Sequence, residues 1–180
     1  MNALKEEVNR ILDPTLRELT EFVLERHIPD TFWFRPSTSS GKYHPPDENS
    51  RGGMVLHTQR VCKIAELLMK GYPPPFRADC IRVACILHDM GRYGKGGKAP
   101  HSMLREHPII GAEMFTEAAN AYVESLREEQ LSEISNLSIC VIEYAIKSHM
   151  GKWGMDKPKS PEDWIVHFSD LIAASIHEVP

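Results

Sequence analysis

The chain reads as an all-α protein, a single-domain helical bundle. Apolar residues recur at three- and four-residue spacing almost throughout, as in Leu16, Leu19 and Val23 or Val61, Ile64 and Leu68, which is the repeat of one helical face. Sustained period-two alternation, the mark of a half-buried strand, is missing. At 180 residues, with 42% hydrophobic and 26% charged residues, the chain is sized for one buried core and short for two.

In chain order, a short amphipathic helix opens the sequence. Asp13-Pro14 then offers an N-cap and a first helical residue for a helix to about Arg26, ended by Pro29. Residues 29–53 concentrate Pro, Ser, Gly and Asp and predict a long irregular segment, placed to act as a lid or substrate wall. Helices are expected over 54–70, stopped by Gly71 and the Pro73-Pro74-Pro75 run, and over 76–90, stopped by Gly91. Three more should span 107–124, 128–149 and 161–177, the last with Ser160 as N-cap and Asp163 in a capping-box position. Residues 1–53 thus form N-terminal helices and a loop, and 54–180 a helical core, within one compact domain.

Composition excludes several functions. No run has the apolar length of a membrane span, and the charged amphipathic start is unlike a secretory signal, so a cytoplasmic protein is expected. The 21 Lys and Arg against 25 Asp and Glu leave a net charge of −4, without the basic excess of a duplex-DNA binder. Cys62, Cys80, Cys85 and Cys140 form no CxxC pair and lie in apolar stretches, the setting of packed structural thiols.

Histidine placement is the informative feature. Ile81, Cys85 and His88 share one helical face, so the imidazole continues a core-facing stripe where Gly91 breaks the helix. Such a histidine needs a partner, either a backbone carbonyl or a metal that the adjacent Asp89 would share. His57 lies on a face with Val61, Ile64 and Leu68, and His149 follows Ile142 and Ala145. Asp170 falls among Trp164, His167, Leu171 and Ala174, read as the apolar side of the last helix, where a carboxylate is costly unless paired or metal-bound. His107 precedes Pro108 at a helix start.

The ordered set His57, His88-Asp89, His107, His149, Asp170, carried by GGMVLHT, ACILHDMGR, REHPIIGAEMF, IKSHMGKWG and HFSDLIAA, resembles the HD-domain superfamily of metal-dependent phosphohydrolases. The resemblance covers residues 54–175, and FRPSTSSGKYHP looks like the substrate-side loop preceding GGxxxHT in some members. It implies a helical bundle with His57, His88, Asp89 and Asp170 around a first metal. His107 and His149 match the added histidines of binuclear members, with Asp89 bridging to a second ion, or else they contact phosphate. Mixed imidazole and carboxylate donors suit Fe, Mn, Co, Ni or Zn better than Mg or Ca. IKSHMGKWGMDKP contains no GYP, so the cyclic-di-GMP-degrading branch is not indicated.

Basic residues flank these segments: Lys42 and Arg51; Arg92, Lys95 and Lys98; Lys152, Lys157 and Lys159, while acidic residues cluster in VESLREEQLSE. They are expected to rim the site and attract an anion, with Lys42 and Lys152 the foremost phosphate contacts. His44 and His101 are loop histidines that could protonate a leaving oxygen or stay solvated. His167 is placed to support a ligand, and Trp33, Phe34 and Trp153 either stack a nucleobase or pack. The expected activity is hydrolysis, by a metal-activated water, of a phosphorylated small molecule such as a nucleotide or cyclic nucleotide, or of a short oligonucleotide. Two rivals are an HD-type di-iron oxygenase and a non-catalytic metal-stabilised binding module.

Overall fold

The protein's structure, a computed structural model, describes residues 2–38, 44–97, 105–126 and 136–175. Among these it is all-helical, with no strand. The helices are α1 (Lys5–Asn9), α2 (Pro14–Arg26), α3 (Thr31–Phe34), α4 (Gly53–Gly71), α5 (Ala78–Leu87), α6 (His107–Ser125), α7 (Asn136–Ser148) and α8 (Pro161–Ser175). None is long and apolar enough to cross a membrane.

Two helix starts follow directly from local chemistry. The Asp13 carboxylate accepts from the Thr15 and Leu16 amides at 2.9 and 3.0 Å, with Pro14 at the first helical position. At α8, the Asp163 amide donates to Ser160 Oγ at 3.2 Å while the Asp163 carboxylate accepts from the Ser160 amide at 2.9 Å. Such caps are worth about 1 kcal/mol each, and the second sets the entry of the helix carrying Asp170.

The centre of the bundle is α5. It packs against α1, α2, α4, α7 and α8, and every residue from Cys80 to Leu87 except Arg82 is buried. A helix apolar on nearly all sides is stable only when surrounded. The other main contacts are α4 on α8, α6 on α7 and α2 on α6. α5 is therefore enclosed by α4, α7 and α8, the helices that carry or lead into His57, His149 and Asp170.

The structure departs from the sequence reading in three places and leaves part of a fourth expectation outside the described residues. Residues 29–53 are not irregular throughout, since they include α3 and a 3₁₀ turn at Pro46–Asn49. The expected 76–90 helix is shorter, because Pro75 and Phe76 precede an extended Arg77 and α5 starts at Ala78. For the 128–149 helix, residues 136–148 form α7 and 127–135 lie outside the described residues, as does most of the acidic cluster. Finally, Trp164 is exposed. His167 of the expected face is buried, together with Ile165, Val166, Ser169 and Ala173, and Trp164 stacks on Phe168, with ring centroids 5.3 Å apart.

A candidate metal centre

Five elements deliver the six residues that stood out in the sequence. His57 lies in the first turns of α4, His88 caps the C-terminus of α5 with Asp89 next in line, His107 starts α6, His149 follows α7, and Asp170 sits in α8. The structure brings them together. His57 Nε2 is 3.0 Å from Asp170 Oδ1 and 3.4 Å from His88 Nε2. His107 Nε2 is 2.9 Å from Asp89 Oδ1 and 3.1 Å from His149 Nε2. Asp89 joins the two halves, because its Oδ2 is 3.7 Å from His88 Nε2 and its Oδ1 is 3.6 Å from His149 Nε2.

Backbone geometry enforces this closeness. A Cβ at Gly91 would lie 2.4 Å from both the His107 carbonyl oxygen and the Gly111 amide nitrogen. Only a residue without a side chain lets the end of the Asp89 segment meet the first turn of α6. All four histidine side chains are essentially buried, and Asp170 alone keeps appreciable exposure, 16% for its side chain. The centre therefore opens on the Asp170 side.

The donor chemistry fits a divalent transition metal. His88 Nδ1–H donates to the Cys85 carbonyl at 2.9 Å and His149 Nδ1–H to the Ile146 carbonyl at 2.7 Å. With Nδ1 engaged in this way, it is Nε2 of each ring that faces inward and is free to bind a cation. The carbonyl partner and the inward-facing group are thus not alternatives: each of these imidazoles has both. The Nε2 atoms of His88 and His149 converge with the Asp89 and Asp170 carboxylates, and the buried Asp89 Oδ1 makes no hydrogen bond. Imidazoles and carboxylates gathered this closely in a buried place are the donor set of a cation site. Two compact sets result, His57 with His88 and Asp170, and Asp89 with His107 and His149, each with ligand atoms within 4.8 Å of one another.

Without a cation the carboxylates draw protons onto two of the rings, His57 and His149, whose pKa values are raised. Burial opposes charge on Asp89, but His88 and the His107 and His149 ring nitrogens overcome it and hold the carboxyl well below its usual range. Asp170 is likewise lowered, against burial, chiefly by His57. Burial pushes His88 down to about 4, leaving it a neutral donor. His57 goes the other way, up to about 10, because Asp170 and Glu48 outweigh its burial.

Glu48 escaped the sequence reading. Its carboxylate is fully buried, with Oε2 3.2 Å from His57 Nδ1 and 2.8 Å from His44 Nδ1, and Oε1 2.6 Å from Arg60. His44 is accordingly no solvated loop residue; its side chain is 11% exposed and its ring lies 4.9 Å from that of His57. A buried acid in a Pro- and Ser-rich segment carries no periodic signal. The Gly52-Gly53 pair was the available clue, since a Cβ at Gly53 would strike the Glu48 carbonyl oxygen.

One of the flanking cations differs from expectation. Lys95 does not rim the centre as a free charge, because its ammonium pairs with Glu117 at 2.6 Å and Glu113 at 3.3 Å on α6. Lys152 is exposed, 4.6 Å above the Trp153 ring. Arg51 lies over Phe34 and Lys159 over Tyr144, while half-exposed Arg92 acts electrostatically on both Asp89 and His107. His167 Nδ1–H donates to the His149 carbonyl at 2.5 Å. Phe34 and Trp153 are exposed, and Trp33 packs against the core. Lys42, Lys98, His101 and His177 lie outside the described residues.

An all-helical bundle whose helix ends converge on clustered histidines and carboxylates defines a protein with a candidate metal-binding centre. The family model of the HD domain matches residues 54–175, and the chain belongs to that family. No curated protein and no solved structure matches it.

Proposed function

We propose that this protein is a metal-dependent phosphohydrolase that cleaves a phosphomonoester or phosphodiester of a nucleotide, cyclic nucleotide or short oligonucleotide. The observation that carries the reading is Asp89, whose two oxygens face two separate histidine sets. In this reading His57, His88, Asp89 and Asp170 hold one divalent cation, and Asp89, His107 and His149 a second. Bound there, the cations supply a nucleophilic water at neutral pH and positive charge against a phosphoryl oxygen.

The chain's own groups do the remaining work. Asp89 fixes the separation of the two positions, and its burial keeps bulk water from competing with substrate oxygens. Arg92, whose charge already reaches Asp89 and His107, meets the developing negative charge, with Lys152 and Lys42 as outer contacts. His44, hydrogen-bonded through Nδ1 to Glu48, is the candidate proton donor to the leaving oxygen.

The test is metal analysis of the purified protein, then reconstitution of stripped protein with Fe, Mn, Co, Ni or Zn against a panel of phosphomonoesters and phosphodiesters. Hydrolysis under anaerobic conditions with at least one metal is expected, read as inorganic phosphate from a monoester or as the monoester product from a diester. Turnover only with oxygen would replace hydrolysis by oxygenase chemistry. Tight metal retention with no turnover on any substrate would make the domain a binding module.

A further inference from the structure

We infer that Glu48 is a positioning residue of the metal centre: its buried carboxylate orients the His57 ring and couples the segment before α4 to the affinity of the first metal position. The inference rests on the metal reading above. Glutamate is rarely buried without a partner that needs it, and Glu48 is fully buried. Arg60 is not a sufficient reason, because Asp47 already grips that guanidinium at Nη1 (3.0 Å) and Nη2 (2.5 Å). His57 Nδ1 is the group in need. It is buried, and the one polar group it faces among the described residues is Glu48 Oε2 at 3.2 Å.

The chain is built to bring that carboxylate there. Glu48 O accepts from the Ser37 amide at 3.1 Å and Oε2 from the Ser37 hydroxyl at 3.0 Å, so a residue eleven positions away braces both ends of Glu48. Gly52 turns the chain at φ 86°, and Gly53 lies so close that a Cβ would sit 1.9 Å from the Glu48 carbonyl oxygen. His57 is one helical turn further on the same helix. The spacing between carboxylate and ring is thus set by a backbone contact as well as by side chains.

His44, Glu48 and His57 also have ligand atoms close enough to hold a cation of their own. Electrostatics decides against that. The Arg60 guanidinium, 2.6 Å from Oε1, already occupies the carboxylate and would repel a divalent ion. A neutral His57 also cannot lend both nitrogens to metals. Donation from Nδ1–H to Glu48 instead leaves Nε2 as the lone pair facing Asp170 and His88, and makes the ring a stronger ligand.

The test compares wild type, Glu48→Gln and, as a control on the same ion-pair network, Asp47→Asn. Stripped proteins are titrated with Co²⁺ against a competing chelator while the visible absorption of the bound ion is recorded. Glu48→Gln should weaken the first Co²⁺ by about 10- to 100-fold and shift its absorption bands, whereas Asp47→Asn should match wild type in both. If Glu48→Gln does not fold, ¹⁵N-edited spectra of Zn²⁺-loaded wild type decide, with a slowly exchanging Nδ1 proton on His57 expected. Wild-type affinity and bands in Glu48→Gln, or a rapidly exchanging Nδ1 proton, overturn the inference and leave the metal reading intact. Failure of wild type itself to bind Co²⁺ or Zn²⁺ removes both.

Discussion

Replacing Gly91 by Ala tests whether the backbone contact between the Asp89 segment and α6 sets the proposed second metal position. The new Cβ would begin 2.4 Å from the His107 carbonyl oxygen, where ordinary contact starts near 3.4 Å. Gly91 has no positive φ, so alanine is conformationally allowed and the perturbation is steric. Relief requires the start of α6 to retreat by about 1 Å, which would stretch the 2.9 Å separation of His107 Nε2 and Asp89 Oδ1 to about 4 Å. Metal ligands tolerate displacements of only about 0.2 Å, so the shift far exceeds what the set of Asp89, His107 and His149 can absorb. The set on α4, α5 and α8 is left in place. Overpacking of this kind costs about 1–3 kcal/mol, or about 2–12 °C in melting temperature for a chain of this size. Metal content of reconstituted protein should fall from two ions to one, with melting in chelator lowered by that interval. Two ions bound with wild-type affinity and an unchanged melt would refute the argument that this contact positions His107.

Three further outcomes are expected. Asp89→Ala should abolish metal retention and ester hydrolysis together, since it removes the group facing both sets; full activity would sink the proposed mechanism. In stripped protein the folded-state pKa of His57 is raised from 6.5 to about 10, so its contribution to stability is fully present below pH 6.5 and is lost as pH rises towards 10; melting of the stripped protein across that window should fall more steeply than that of His57→Gln. Cys140 is exposed while Cys62, Cys80 and Cys85 are buried with their thiols pushed up by burial, so a thiol reagent should titrate one cysteine in the native protein and all four after unfolding.

What the sequence made legible was whatever the helical repeat determines. His88 could be placed inward because it continues the stripe of Ile81 and Cys85, and all three are fully buried; His149 follows Ile142 and Ala145 in the same way. Periodicity fixes which residues share a face but not which face is covered. On α8 the residues 164, 167, 171 and 174 do share a side, yet the packed stripe is rotated towards Val166, Ser169 and Ala173, and the large apolar Trp164 is left at the rim. Glu48 was out of reach for a different reason. Its burial depends on a turn, on Ser37 and on a missing Cβ at Gly53, none of which leaves a repeat. Lys95 illustrates the same limit for charge, because its partners Glu113 and Glu117 approach through packing of the α6 N-terminal half on the loop after Asp89.

The histidines of the centre are supported unequally, and this governs how mutation can reach them. His88 and His149 each donate to a carbonyl three residues earlier in their own chain, at Cys85 and Ile146. Any residue at position 85 or 146 supplies that acceptor, so no single substitution there deletes it. The Glu48 carboxylate beside His57 is a side chain and can be lost in one nucleotide change. Among these three rings, sequence drift therefore has its shortest route to a weakened centre through position 48, and variants that trade metal affinity for another property should arise there before they arise at 85 or 146.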